Sequence, residues 1–155
     1  AQITETIVTC FKYGGRVYFC GNGGSAADAQ HLAAEFSGKF YLERDILPSE
    51  ALHCNSSYIT AVSNDLSFEI IYSRLISGIG KAGDVLIGLS TSGNSANIVK
   101  AFETCMKRRS RRWPLLVPTG GGCVNYPNSL SMCRLPIHRA SRKRISPSDI
   151  SFASW

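Results

Sequence analysis

Twice in this chain a short apolar run ends in glycine and hydroxyl residues, and a helical pattern follows at once. The first run is Arg16-Val17-Tyr18-Phe19-Cys20, a strand by its β-branched and aromatic content. It leads through Gly21-Asn22-Gly23-Gly24-Ser25 into a helix that extends to about Gly38. The second run, Asp84 to Leu89, passes through Ser90-Thr91-Ser92-Gly93-Asn94-Ser95 into residues 95–106, where apolar side chains recur at helical spacing. Alternating strands and helices joined by short loops build a parallel sheet covered on both faces. The chain is therefore expected to be α/β, a three-layer αβα sandwich of the doubly wound, flavodoxin-like kind. In such sheets ligands bind outside the carboxyl ends of the strands. A helix start there offers unpaired N–H groups and the positive end of a dipole, which suits phosphate. Hydroxyls add neutral donors. The competing account of residues 90–95 is a Ser/Thr-rich turn with a helix cap.

The other elements follow from the same punctuation. Residues 3–13 read as a helix stopped by Gly14-Gly15, and Ala1 to Glu5 have the pattern of the middle of that helix, so its true start is expected upstream. Ser25 with Asp28 fits a capping box. Residues 51–55 form a short strand candidate, 56–65 a helix ending at Asn64-Asp65, and 68–79 a helix stopped at Gly78-Ile79-Gly80. His31 and Glu35, four apart on one helix face, suit a shared metal ion or a base with its orienting partner. A solvated surface pair is the alternative.

Composition bounds the class. With 155 residues, 44% hydrophobic and 18% charged, the chain reads as one globular domain. No apolar run approaches the roughly 20 residues of a membrane span, and no signal peptide opens the chain. Six cysteines without C-x-x-C spacing suggest reduced, buried thiols, and a cytoplasmic setting is expected. The net charge of +6 is unevenly spread. Residues 1–106 hold seven Lys/Arg against ten Asp/Glu, whereas residues 107–155 hold ten against one. The acidic balance of residues 1–106 argues against nucleic-acid binding, and residues 107–155 have the composition of a basic tail.

Three separated motifs carry a resemblance: Cys20-Gly21-Asn22-Gly23-Gly24-Ser25 through His31 and Glu35 to Gly38; Asn64-Asp65; and Gly88-Leu89-Ser90-Thr91-Ser92-Gly93-Asn94-Ser95-Ala96-Asn97. In this order and spacing they resemble the phosphoheptose isomerases of the sugar isomerase (SIS) family over residues 1 to about 106. That resemblance implies an αβα sandwich, a homotetramer with active sites between subunits, and isomerisation of sedoheptulose 7-phosphate to glycero-manno-heptose 7-phosphate, a step towards the heptose of bacterial lipopolysaccharide. It implies that Asn22, Gly23 and Gly24 line the sugar site, and that Asn64 and Asp65 hold substrate hydroxyls. Ser90, Thr91, Ser92 and Ser95 would hold the phosphate. His31 and Glu35 would be zinc ligands, with Glu35 also the base that moves a proton between C1 and C2.

Beyond Cys105 the motif pattern stops. Family members continue with a Leu-Thr-Gly loop and a helix whose glutamine and histidine complete the zinc site and the acid–base pair. Here stand Arg108-Arg109-Ser110-Arg111-Arg112-Trp113-Pro114 and Arg139-Ala140-Ser141-Arg142-Lys143-Arg144. A shift of reading frame between Cys105 and Arg108 accounts for this. Back-translated with suitable synonymous codons and read one base earlier, residues 134–150 can give a run that contains Thr-Asp-Thr-Pro-Arg-Ile-Gln-Glu-Ala-His, and residues 113–117 can give Leu-Ala-Leu-Thr-Gly. The alternative is a genuine basic tail for a nucleic-acid partner. The expected division is a SIS core over 1–106 and an aberrant basic segment over 107–155, with an incomplete zinc site and impaired turnover. Two rivals stand beside the isomerase: a non-catalytic SIS adaptor of the replication-initiator-binding type, and a sugar-phosphate-sensing regulatory domain.

Overall fold

The computed structural model describes residues 2–107, and the basic segment with its expected frame change lies outside them. Their order is α1 (Gln2–Lys12), β1 (Val17–Gly21), α2 (Gly24–Ser37), β2 (Ser49–Ala51), α3 (Ser56–Asp65), a 3-10 turn (Phe68–Ile70), α4 (Ile71–Ile79), β3 (Val85–Leu89) and α5 (Ala96–Lys107). The strands form one parallel sheet in the order β2-β1-β3. Every residue of β1 and β3 is buried, as a strand covered on both faces requires.

Two apolar clusters show the three layers. Ile7 and Cys10 of α1 and Leu32, Ala33 and Phe36 of α2 pack on Val17, Phe19, Val85 and Ile87. On the opposite face Val62 of α3, Ile71, Tyr72 and Ile76 of α4, and Ile98 and Phe102 of α5 pack on Tyr18, Cys20 and Leu86. Odd and even strand residues thus serve opposite layers, the pleat's own alternation. At Gly88 an added Cβ would lie 2.5 Å from Phe102 Cζ and 2.8 Å from Ile98 Cγ2, so a bare glycine lets α5 close on β3.

Two expectations shift. The edge strand is Ser49–Ala51 rather than 51–55, because its register places Ser49, Glu50 and Ala51 opposite Val17, Tyr18 and Phe19. The capping box of Ser25 and Asp28 does not form. Gly23 occupies the N-cap position of α2 at φ 55°, with no side-chain cap bond. That left-handed backbone suits glycine, and it starts the helix before Ser25 can cap it.

Candidate active site

The sheet order makes the site's position a consequence of topology. From β1 the chain runs to β2 on one side and later to β3 on the other, so the β1 and β3 loops diverge onto opposite layers. The crevice between their carboxyl ends is the switch point of the sheet, where open α/β folds bind ligands.

On the β3 side the hydroxyls converge. Ser90, only 5% exposed, lies at the hub of its loop. Its Oγ stands 3.1 Å from Ser95 Oγ and 3.4 Å from Ser92 Oγ, and it accepts the Gly93 N–H at 3.1 Å. Ser92 Oγ accepts the Asn94 N–H at 3.2 Å. Gly93, at φ 69°, provides the turn that lets these groups meet. Thr91 and Ser92 are exposed, so the loop offers hydroxyls outward while Ser90 braces it from within. The start of α5 follows directly, adding its dipole.

On the β1 side, Gly21 ends the strand with its carbonyl accepting the Tyr72 O–H of α4. Burial, chiefly, and Cys20 beside it push the Tyr72 phenol up to about 12, so it stays a donor at neutral pH. Asn22 then faces across the crevice. Its Nδ2 donates to Asn97 Oδ1 at 2.9 Å, and Asn97 Nδ2 donates to Asn22 Oδ1 at 2.9 Å. The sequence marked Asn22 as a site residue and assigned no role to Asn97 or Tyr72. A pairing across 75 residues leaves no local signal; only the polar type of Asn97 among apolar helix positions hinted at it.

His31 and Glu35 meet on α2, with Nε2 and Oε1 3.6 Å apart and the imidazole largely exposed. A rise of 1.5 Å per residue sets them roughly 10 and 16 Å along the axis from Gly24. Glu35 lies in the last turn of α2, where the Arg44 guanidinium donates to the Glu35 and Phe36 carbonyls at 2.9 and 3.0 Å. Asn64 and Asp65 close α3, joined by Asn64 Nδ2 donating to Asp65 Oδ1 at 2.8 Å.

Imidazole and carboxylate are donor types that zinc accepts, but catalytic zinc uses three protein ligands. Among the described residues no group of three or more His, Cys, Asp or Glu is placed to hold a metal. His31 and Glu35 therefore form two donors of an incomplete set. Cys10, Cys20, Cys54 and Cys105 are thiols rather than disulfides, but only Cys10 and Cys20 are buried as expected; Cys105 is half-buried and Cys54 is exposed. No described helix is long and apolar enough to cross a membrane.

Fold and site together define a parallel α/β domain with a glycine loop and a hydroxyl loop facing each other at its switch point. The SIS domain model matches residues 1–111, and the chain belongs to that family. Within it the chain belongs with the phosphoheptose isomerases. It is 53% identical over 137 residues to "Phosphoheptose isomerase" of Rhodospirillum rubrum, covering 88% of this chain and 71% of that protein. The counterpart in Clostridium acetobutylicum is 48% identical over 125 residues, covering 81% of this chain and 64% of its own length. Among solved structures, the phosphoheptose isomerase of Neisseria gonorrhoeae superposes with a TM-score of 0.69 at 40% identity, over 78% of this chain and 60% of that one. That of Francisella tularensis gives 0.71 at 34%, over 78% and 61%. The chain thus spans between about six and seven tenths of these relatives. The Rhodospirillum match reaches beyond Lys107, further than the motifs, which stop near residue 106. With relatives at this identity named as isomerases, the adaptor reading is not favoured.

Proposed function

We propose that the crevice between the β1 and β3 loops binds sedoheptulose 7-phosphate, and that the protein is by descent the isomerase that interconverts it with glycero-manno-heptose 7-phosphate, with turnover impaired in the chain as given. One observation carries the reading: hydroxyls converging at a helix start face a glycine loop at the switch point, in a chain 53% identical to a phosphoheptose isomerase. Thr91, Ser92 and Ser95 donate to the phosphate, while Ser90 holds their loop in shape. Asn22, Gly23 and Gly24 line the sugar, and Asn64 and Asp65 meet its hydroxyls.

Isomerisation of a ketose moves one proton from C1 to C2 and another from O1 to O2. The Glu35 carboxylate, roughly 16 Å along α2 from Gly24, serves the sugar held by a neighbouring subunit. It takes the proton from C1, the C1–H pair becomes the C1=C2 bond of an enediolate as the carbonyl pair moves onto O2, and the proton returns to C2 while the O1 hydroxyl proton passes to O2 and the aldehyde forms at C1. His31, 3.6 Å away, orients that carboxylate. His31 and Glu35 are also the proposed zinc half-site, and zinc bound there would supply Lewis-acid stabilisation of the enediolate oxygen. The missing donors are the glutamine and histidine that residues 107–155 do not present in the given frame.

Homo-oligomeric assembly and a cytoplasmic setting complete the proposal. Tyr41 and Ile46, 87% and 69% exposed beyond α2, are apolar surface of the kind that subunit contacts cover.

The test is titration calorimetry with sedoheptulose 7-phosphate alongside a turnover assay with added zinc. Saturable binding that is lost in Ser92→Ala/Ser95→Ala, without turnover by the 155-residue chain, is the expected result. Absence of binding would remove the functional reading. Zinc-dependent turnover would show that residues 107–155 do complete the site.

A further inference from the structure

The reciprocal amide pair between Asn22 and Asn97 stands apart from the other contacts of the site. Both bonds measure 2.9 Å, and they join the loop after β1 to the first turn of α5 across the crevice. Asn97 is 2% exposed, so water does not compete for its amide. Its Oδ1 also accepts the Ile98 N–H at 3.0 Å, which fixes the amide's orientation on the helix that carries the hydroxyl loop. Tyr72 holds the other side of the same loop through the Gly21 carbonyl. Asn22 is half-buried and sits beside Gly23, whose left-handed backbone offers no side chain to anchor the turn. Alongside the loop's own Ser25 N–H to Asn22 carbonyl bond at 3.1 Å, side chains from α4 and α5, both on one layer, therefore set the position of Asn22.

We propose that Asn97 is a positioning residue that clasps Asn22, holding the sugar-facing loop at a fixed distance from the phosphate loop so that the two ends of one substrate are gripped together. The proposal rests on the sugar-phosphate reading above. Asn97 itself faces Asn22 and its own helix and does not hold the substrate. Its loss leaves the hydroxyls of Ser90, Ser92 and Ser95 in place, because their bonds stay within residues 90–95. Sugar affinity and phosphate affinity are thereby separable.

The experiment uses the full chain and three variants. Asn97→Leu removes both bonds. Asn97→Asp keeps an acceptor for the Asn22 Nδ2 and for the Ile98 N–H, and it is the conservative rescue. Asn22→Ala removes the clasp from the other side. Binding of sedoheptulose 7-phosphate and of inorganic phosphate is measured by calorimetry, and the side-chain amide resonances are followed by NMR. The clasp predicts that Asn97→Leu weakens sugar-phosphate binding about tenfold, the worth of one or two neutral hydrogen bonds. Inorganic phosphate should change less than about twofold by the same measure. Asn97→Asp should recover most of the loss, and the Asn22 side-chain NH2 resonances should move in Asn97→Leu before any ligand is added. Adding Asn97→Leu to Asn22→Ala should bring little further loss. Equal loss of both ligands in a folded Asn97→Leu protein overturns the clasp, as does unchanged sugar-phosphate binding. If the unmodified chain binds inorganic phosphate but no sugar phosphate, the functional reading fails, and that result is distinct from a variant that binds as well as its parent.

Discussion

Asp84 shows how much one side chain can organise without touching a substrate. It is 3% exposed, and its two oxygens accept the Arg16 N–H at 2.8 Å and the Lys81 N–H at 2.7 Å. One carboxylate therefore pins the start of β1 to the start of β3. Asp84→Ala leaves two amides without their partner and should cost about 2–4 kcal/mol, read as a lower urea midpoint at unchanged slope. Gly88→Ala tests the opposite kind of constraint. Its methyl group would press on Phe102 and Ile98, and overpacking of this kind costs about 1–3 kcal/mol in the same measurement. Asp84 was legible in the sequence only as a member of a strand, and Gly88 only as a strand and motif position. Burial against a partner 68 residues away, or against a ring on a helix not yet formed, has no local signature.

At the scale of elements the sequence was most readable where physics acted on many residues at once. β1 and β3 are continuous apolar runs because both faces are covered, and their spacing alone sufficed to find them. β2 was misplaced because it has three residues, two of them polar, and is defined by register with β1 rather than by its own composition. The capping box failed for a related reason: Ser25 has the right type, but the backbone of Gly23 had already set where α2 begins. Of the candidate site, the hydroxyl loop and the His31–Glu35 spacing could be read directly, since helical periodicity fixes the second and punctuation the first. The loop's inner bonds invite a test. Ser90→Ala removes the shared partner of Ser92, Ser95 and the Gly93 N–H, so inorganic phosphate binding should weaken by about five- to twentyfold in calorimetry. Asn94→Ala, whose side chain enters none of these bonds, should bind within about twofold of the parent.

For the whole molecule, buried acids set the alkaline limit. Burial, followed by the nearby Asp84 charge, pushes the Cys10 thiol from 9.0 up to about 11. Tyr72 moves from 10.0 up to about 12. The folded chain keeps these protons where the unfolded chain releases them. Their contribution to stability is therefore complete below about pH 9 and is lost as the pH rises towards 12. Thermal melts at about pH 7, 9 and 11 should show this decline, and Cys10→Ala should make the slope between 9 and 11 shallower. The reading frame has an equally direct check: sequencing the DNA across the codons for Cys105 to Arg108 should reveal one base gained or lost. The sheet order carries a last consequence, for the time course of folding. Among the described strands β1 lies in the middle, yet its neighbours Ser49–Ala51 and Val85–Leu89 follow it at a distance in the chain. Two long loops must close before the central strand has both partners, and such non-local pairing folds slowly. On a ribosome β1 emerges first and waits, with its apolar faces uncovered, until residue 89 has been made. The apolar faces of β1 are thus a stretch that a chaperone would cover.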